Sequence, residues 1–195
     1  LMIGLALVTL VAMLASGIRS SFFEAIDSIW KTDYAITAQN NFSPISVATA
    51  RPLKNLPGVV GVVGVRGGAN GEGADAKFLG KKHAITGIDP GGSKVFNLNW
   101  VSGSPATLEH LGANGAFISK KFADNNHLHL GSRIPALVPS GATPTFVVKG
   151  IFEEAKFGSP FGALTISSAT FDRLFAGPEN LYVFVTMAGG VTKAN

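Results

Sequence analysis

Two glycine-containing stretches resemble phosphate-binding loops but lack what phosphate chemistry requires. Gly71–Ala76 fits the loosest dinucleotide fingerprint, which works only where a helix N-terminus follows and offers its amides to pyrophosphate. Here a strand is predicted to follow. Gly80 and Lys81 resemble the end of a Walker-type loop. However, Asp75 occupies the position of its first glycine, and Lys82 the position of the Ser or Thr that coordinates magnesium. The sequence therefore predicts no ATP hydrolysis by this chain.

Few other residues have the spacing of a catalytic or metal site. His127 and His129, near Asp124, could place two imidazoles on one strand face as metal ligands, but a pair without metal is favoured. Glu153 and Glu154 would point to opposite faces of a strand, which does not suit paired acid–base chemistry. The chain has no cysteine, which excludes disulfides, thiolate zinc sites and cysteine nucleophiles. We expect no cofactor, no metal and no enzymatic activity.

Composition indicates an association with membranes. Of the 195 residues, 46% are hydrophobic and only 14% are charged, whereas about a quarter of residues in soluble domains are charged. Such hydrophobicity excludes a disordered chain. The net charge is +4, and the 16 Lys and Arg residues are spread too thinly for a nucleic-acid surface.

The excess hydrophobicity lies in residues 1–18, LMIGLALVTLVAMLASGI, which carry no charge. This length predicts a membrane-spanning helix, and the first residue is not Met, which indicates a fragment of a longer protein. A secretory signal peptide is the main alternative, because Ala15-Ser16-Gly17 resembles a cleavage site; a buried soluble helix is the third. We expect a retained anchor, since helical periodicity continues through that site. The residues assigned to the span are Leu1, Leu5, Leu10, Leu14 and Ile18.

An amphipathic helix is predicted to continue from the span over residues 19–31. Apolar residues recur there at helical spacing, and neither Pro nor Gly interrupts them. The helix either caps the domain or acts as a stalk that carries force between membrane and domain. The residues assigned to its apolar coupling face are Phe22, Ile26, Ile29 and Trp30.

The next segment predicts a strand–helix–strand unit. Asp33–Ala38 alternates as a strand does, and Ser43-Pro44 is typical of a helix start, with Pro57-Gly58 ending that helix after Leu56. Val59–Val65 is β-branched and reads as a buried strand.

Beyond that unit, the elements shorten. A glycine-rich loop, interpreted as a hairpin tip, covers residues 66–76, and residues 77–88 predict a strand with a polar interruption. Short strands separated by Gly and Pro over residues 99–150 favour a compact, barrel-like β insert. From residue 151 the pattern returns to strand, helix and strand, with Ser167 and Ser168 able to cap the helix. The predicted fold class is α+β.

Two aromatic residues flank a Gly-Ser-Pro loop. Phe157 and Phe161 could form an apolar contact site, or they could pack the insert against the main body. Packing is the favoured interpretation.

The order of several motifs along the chain resembles the FtsX-like permease family of ABC transporters. The motifs are LMIGLALVTLVAMLASGIRSSF, DYAITA, LPGVVGVV, ITGIDP, GAFISKKFADNNHLHLGSRI, FVVKGIF and LYVFVTMAGGV. Each is mainly an apolar pattern with glycine, so their order and spacing carry the resemblance. The exposed part is similar to a MacB-type periplasmic core domain, and the resemblance covers essentially the whole chain.

The resemblance implies a membrane-anchored extracytoplasmic domain of α+β type. A βαβ-type porter-like subdomain would be formed by residues 32–98 and 151–195, and a small sabre-like β-rich insert by residues 99–150. The end of the first membrane helix (1–18) and the stalk (19–31) would precede them.

The resemblance also implies partners and a function. The chain would be part of a permease subunit in the cell membrane, in contact with lipid, paired with a cytoplasmic ABC ATPase and with a second permease subunit as a homo- or heterodimer. It would couple ATP hydrolysis by the partner to export or extraction of an amphipathic substrate, or to mechanical signalling. The alternative is a non-transporting membrane scaffold that binds and activates a cell-wall hydrolase or another extracellular partner.

Overall fold

The computed structural model describes residues 31–38, 43–68, 74–155 and 159–189. The predicted membrane span and, apart from Lys31, the predicted stalk lie outside these residues, so both remain predictions. Within the described ranges, no helix is both long enough and apolar enough to cross a bilayer.

Short strands dominate the described residues. The strands are β1 (Tyr34–Ile36), β2 (Ile45–Ser46), β3 (Val59–Gly67), β4 (Ala74–Phe78), β5 (Lys81–Ile88), β6 (Asn99–Ser102), β7 (Gly115–Ser119), β8 (Arg133–Pro135), β9 (Thr145–Glu153), β10 (Leu164–Ser167) and β11 (Glu179–Met187). The α-helices are α1 (Ala50–Leu53), α2 (Gly92–Val95), α3 (Lys120–Asn125) and α4 (Ser168–Leu174). Two 3-10 turns cover Val47–Thr49 and Pro105–Leu108.

These strands form one mixed sheet. The order is β1-β11-β3-β5-β10-β7-β9-β6, and β2, β4 and β8 pair with β11, β5 and β9 respectively. Parallel pairs (β5 with β10, β7 with β9) occur beside antiparallel ones. The short helices lie between strands, and the predicted α+β class is confirmed.

The first strand–helix–strand unit is split by the last strand of the sheet. β11 is antiparallel to both β1 and β3, so β1 and β3 run in the same direction on either side of it. The predicted strands at Asp33–Ala38 and Val59–Val65 are thus both present. Their immediate neighbour, however, comes from more than a hundred residues further along the chain.

The helix between these strands is shorter than predicted, and its predicted start at Ser43-Pro44 is wrong. Ile45–Ser46 instead pairs with β11 as strand β2. The Ser46 hydroxyl then caps the following 3-10 turn by accepting from the Ala48 amide at 3.3 Å. Pairing with a distant strand overrides the local capping signal, and only Ala50–Leu53 is α-helical.

The polar interruption predicted within residues 77–88 is a tight turn. β4 and β5 form an antiparallel hairpin in which Phe78 pairs with Lys81, so Leu79 and Gly80 form the turn. The glycine-rich stretch at 66–76 is not the tip of a β3–β4 hairpin, because β3 and β4 both pair with β5, on successive halves of that strand. Residues 69–73 of this stretch lie outside the described ranges.

The centre of the sheet is buried on both faces. Alternate residues of β7 belong to different clusters, since Phe117 packs with the residues around Phe96 and Phe184, whereas Ile118 packs with those around Ile85. All five residues of β7 are buried. This explains why the strand reads as a continuous apolar run rather than an alternating one.

The final helix follows its predicted start. The Ser167 hydroxyl accepts from the Thr170 amide at 3.3 Å, and α4 begins at the next residue. The proposed boundaries of the insert at residues 99 and 150 remain a prediction. The strands between them continue the same sheet through the antiparallel pairing of β7 with β10.

Candidate functional site

The two ends of the described chain are joined at one end of the sheet, which we call the base. In β1 and β11, Tyr34 lies opposite Val185 and Ile36 opposite Val183. Just before β1, the Asp33 amide donates to the Val185 carbonyl at 3.1 Å. The first strand, β1, and the last strand, β11, are therefore bonded to each other, and β11 is also bonded to β3 in the rest of the sheet.

Side-chain and backbone contacts reinforce the base. The Met187 amide donates to the Asp33 carboxylate at 2.7 Å, and the Thr32 hydroxyl donates to the Val185 carbonyl at 2.8 Å. The Lys31 amide donates to the Val95 carbonyl at the end of α2, at 2.6 Å. Residues 31–33 are thus bonded both to β11 and to the end of α2.

A buried ion pair lies above the base. Arg66, on β3, and Asp89, just after β5, have less than a tenth of their residue surface exposed. The Arg66 guanidinium meets both carboxylate oxygens of Asp89, with Nη2–Oδ1 at 2.9 Å and Nη1–Oδ2 at 3.4 Å. Such a two-point contact fixes the orientation of both side chains.

Further partners extend this pair across the sheet. Arg66 Nη1 also donates to the side-chain oxygen of the fully buried Asn180 on β11, and Arg66 Nε donates to Asp172 Oδ1 on α4 at 3.3 Å. The Gly64 amide donates to Asp89 Oδ2 at 3.0 Å. We call these five residues the arginine network. It connects β3, the end of β5, β11 and α4.

The arginine network requires glycine at position 64. A Cβ at Gly64 would lie 2.5 Å from the Asn180 amide oxygen and 2.6 Å from Arg66 Nη1. The sequence did not predict this network, because Arg66 was assigned to the glycine-rich loop at residues 66–76. The available signal was a single arginine directly after the apolar run Val59–Val65, because buried charged residues occur where they are paired.

An open groove of about 490 Å³ lies at the far edge of the sheet, beside the ends of β6 and β9. Its lining includes the apolar Leu98, Phe152 and Phe161 together with Glu153 and Glu154. Glu154 follows the last residue of β9, so strand alternation does not separate the two carboxylates as the sequence had suggested. The groove combines apolar surface with negative charge.

Phe161, one of the two aromatics singled out in the sequence, lies at this groove and is largely buried. Its ring centroid is 5.0 Å from that of Phe96, 5.1 Å from that of Phe117 and 5.9 Å from that of Phe152. Phe157 lies outside the described residues. A role for these two side chains in contacting a ligand therefore remains a proposal.

The other sequence candidates do not come together. His127 lies in the turn that follows α3 and His129 in the loop after it, so neither is on a strand, and Lys81 begins β5 directly after the β4–β5 turn. Among the described residues, no group of three or more His, Asp or Glu side chains is arranged to hold a metal ion. Span positions Leu1, Leu5, Leu10, Leu14 and Ile18, and stalk positions Phe22, Ile26, Ile29 and Trp30, lie outside the described ranges.

Comparison with solved structures shows a similar fold in three proteins. A domain of a protein assigned as a permease from Porphyromonas gingivalis is 17% identical, with a TM-score of 0.52 over 77% of this chain and 66% of that one. The extracellular domain of the ABC-type transporter YknZ from Gram-positive bacteria is 17% identical, with a TM-score of 0.51 over 79% and 81%. The periplasmic region of MacB from Actinobacillus actinomycetemcomitans is 11% identical, with a TM-score of 0.50 over 77% and 68%.

The chain spans just under two thirds of the Porphyromonas domain. A comparison with curated proteins gives no match. The family model described as the MacB-like periplasmic core domain matches residues 1–195. Because that match covers the whole chain, the protein belongs to the family of MacB-like periplasmic core domains.

Proposed function

We propose that this domain transmits motion from a cytoplasmic ABC ATPase to the extracytoplasmic side of a permease dimer, in order to export or extract an amphipathic substrate. The observation that carries the proposal is the base, in which β1 and β11 are paired. Movement that arrives through the predicted stalk would reach both ends of the domain together, because the segment after Lys31 is bonded to β11.

The arginine network supports the same function. It ties β3 to β11 and to the end of β5 through the buried Arg66, Asp89 and Asn180, and to α4 through the more exposed Asp172. A two-point ion pair resists shear better than apolar contacts, which are non-directional. The domain would therefore respond to a push at its base by moving as a body rather than by deforming.

The groove at Phe161 supports an amphipathic substrate. Its apolar side chains suit a hydrocarbon portion, while Glu153 and Glu154 suit a polar or cationic portion. We therefore expect the substrate to carry both features.

The coupling can be tested in the full permease reconstituted with its ATPase partner. This chain has no cysteine, so in a permease freed of any cysteine elsewhere, spin labels on Lys54→Cys in each subunit would report the distance between the two domains. We expect ATP to change that distance. Glu24→Pro, in the predicted stalk, should abolish the change and leave ATP binding intact, whereas the control Glu24→Ala should leave both unchanged. If ATP still changed the distance between the two domains fully in Glu24→Pro, the proposed transmission of motion through the stalk would be wrong.

The substrate needs a separate measurement. A photo-crosslinking residue at Leu98 should capture a lipid or another amphipathic small molecule in cells, and the same residue at the exposed Leu130 should not. If the crosslinker at Leu98 captured a cell-wall hydrolase instead, the scaffold function would replace export.

A further inference from the structure

The turn between β4 and β5 has an unusual first residue. Leu79 and Gly80 both have positive φ, at 51° and 76°, as a two-residue type I′ turn requires. Asn, Asp and Gly adopt this conformation readily, whereas a longer L-residue is strained in it. Leu79 is 40% exposed, so core burial does not account for a leucine there.

The strands beside this turn also carry an unfavourable pair. Lys77 on β4 lies directly opposite Lys82 on β5, and like charges in that relationship repel each other. Lys82 is paired with Asp75, whereas Lys77 has no ion pair with any residue the structure describes. Neither the turn residue nor the lysine pair favours folding of the hairpin, and such local conflicts concentrate at functional positions.

A second exposed leucine extends this surface. Leu137 lies opposite Lys77 on its other side, and their backbones exchange two hydrogen bonds of 2.9 Å. Lys82, Lys77 and Leu137 therefore form a row across three neighbouring segments, on one face. Leu137 is 47% exposed. We call Lys77, Leu79, Lys82 and Leu137 the basic tip.

The basic tip lies far from the base. β3 starts at Val59, opposite Met187, and reaches Arg66, which pairs with Gly87 of β5. From Gly87, β5 runs back to Lys81 in the direction away from the base. At roughly 3.3 Å per residue, the path along these strands is about 40 Å. A bilayer next to the base would not reach the tip, so a protein is the better partner.

We propose that the basic tip is a docking site for an acidic segment of a partner protein that also carries an apolar side chain. Lys77 and Lys82 would pair with its carboxylates, which removes their mutual repulsion. Leu79 and Leu137 would cover its apolar residue. This interaction surface goes beyond the coupling proposed above and does not depend on it, since it concerns the opposite end of the sheet.

Binding can be measured with the full chain in phosphatidylcholine nanodiscs and a fluorescent peptide in which Glu alternates with Leu. We expect fluorescence anisotropy to show saturable binding that weakens as salt is raised. Leu79→Asn introduces a residue suited to positive φ, removes the apolar side chain and should weaken binding about tenfold. The pair Lys77→Gln and Lys82→Gln should weaken binding to a similar extent and flatten its salt dependence. A peptide with Gln in place of Glu should bind as weakly as the double variant.

Matched controls lie near the base, where Leu56 is 50% exposed and Lys54 is close in sequence. Leu56→Asn and Lys54→Gln should leave peptide binding unchanged. Equal binding by all variants, or loss only in the controls, would overturn the assignment. The assignment would also be overturned if the tip residues bound anionic phosphatidylglycerol vesicles but did not bind the peptide, because the partner would then be a lipid surface. None of these readouts depends on ATP, so the result is separate from the coupling test.

Discussion

Asp89 accepts from both terminal nitrogens of the buried Arg66 guanidinium and also from the Gly64 amide. Three donors thus converge on one carboxylate at the junction of β3 and the end of β5. A buried ion pair is costly to break, because removing one partner leaves the other charge without compensation. The structural importance of Asp89 therefore exceeds what a charged residue in a surface turn would suggest.

Replacement of that carboxylate should destabilise the domain strongly. For Asp89→Ala we expect a loss of about 3–5 kcal/mol in the free energy of unfolding, because Arg66 stays buried with fewer acceptors. Urea denaturation followed by circular dichroism would measure it. Asp124→Asn, which removes an exposed pair with Lys120, should leave the midpoint unchanged. A loss below about 1 kcal/mol for Asp89→Ala, the range of an exposed pair, would contradict a buried network.

Two glycines of β3 offer a matched comparison. Gly64→Ala introduces a Cβ about 2.5 Å from Asn180 Oδ1, whereas Gly61→Ala meets only the Thr186 side chain at 3.6 Å or more. We expect Gly64→Ala to cost about 1–3 kcal/mol by displacing the arginine network. Gly61→Ala should be neutral or stabilising by about 0.5 kcal/mol, since alanine loses less backbone entropy in a strand. Equal unfolding midpoints for the two variants would argue against this steric account.

His83 should make stability depend on pH. Burial, and then the nearby Lys81, lower the pKa of the His83 imidazole below its ordinary value of 6.5. The unfolded chain thus binds the proton more readily, so the stability contributed above pH 6.5 is lost as the pH falls through the folded-state pKa. The ring packs against Phe78 and Phe122 at centroid distances of 4.6 and 5.2 Å.

His83→Phe keeps these ring contacts and removes the titrating group. We expect its unfolding midpoint to fall less than that of the wild type between pH 7.5 and 5.5 in urea titrations at both values. His129→Gln, at an exposed position, is the control for loss of one histidine. An identical pH dependence in wild type and His83→Phe would show that His83 does not contribute.

The strained turn predicts a gain in stability. Leu79→Asn should stabilise the fold by up to about 1 kcal/mol, because Asn tolerates positive φ better than Leu. Thermal unfolding of Leu79→Asn should show a higher midpoint than that of the wild type. Leu130 is exposed but does not have positive φ, so Leu130→Asn should leave the midpoint unchanged. If Leu79 is retained for binding, Leu79→Asn should both raise the stability of the fold and weaken binding of the acidic peptide. A lower midpoint for Leu79→Asn would contradict the strain.

Elements defined by neighbouring residues could be predicted from the sequence. The buried strand at Val59, the Ser167 cap of α4 and the α+β class all follow from periodicity, β-branching and capping, which act over a few residues. The order of apolar, glycine-containing motifs along the chain also indicates the permease family. These features depend on local patterns, which the chain carries wherever it folds.

Tertiary structure alone decided which segments meet. Ile45–Ser46 became a strand because β11 was available to pair with it, although its local signals favoured a helix. Arg66, Asp89 and Asn180 are far apart in sequence, and only the β3–β11 register and the end of β5 bring them together. The burial of the Arg66 charge depends on the assembled sheet. Long-range contacts exclude water from this charge, and no local sequence pattern encodes those contacts.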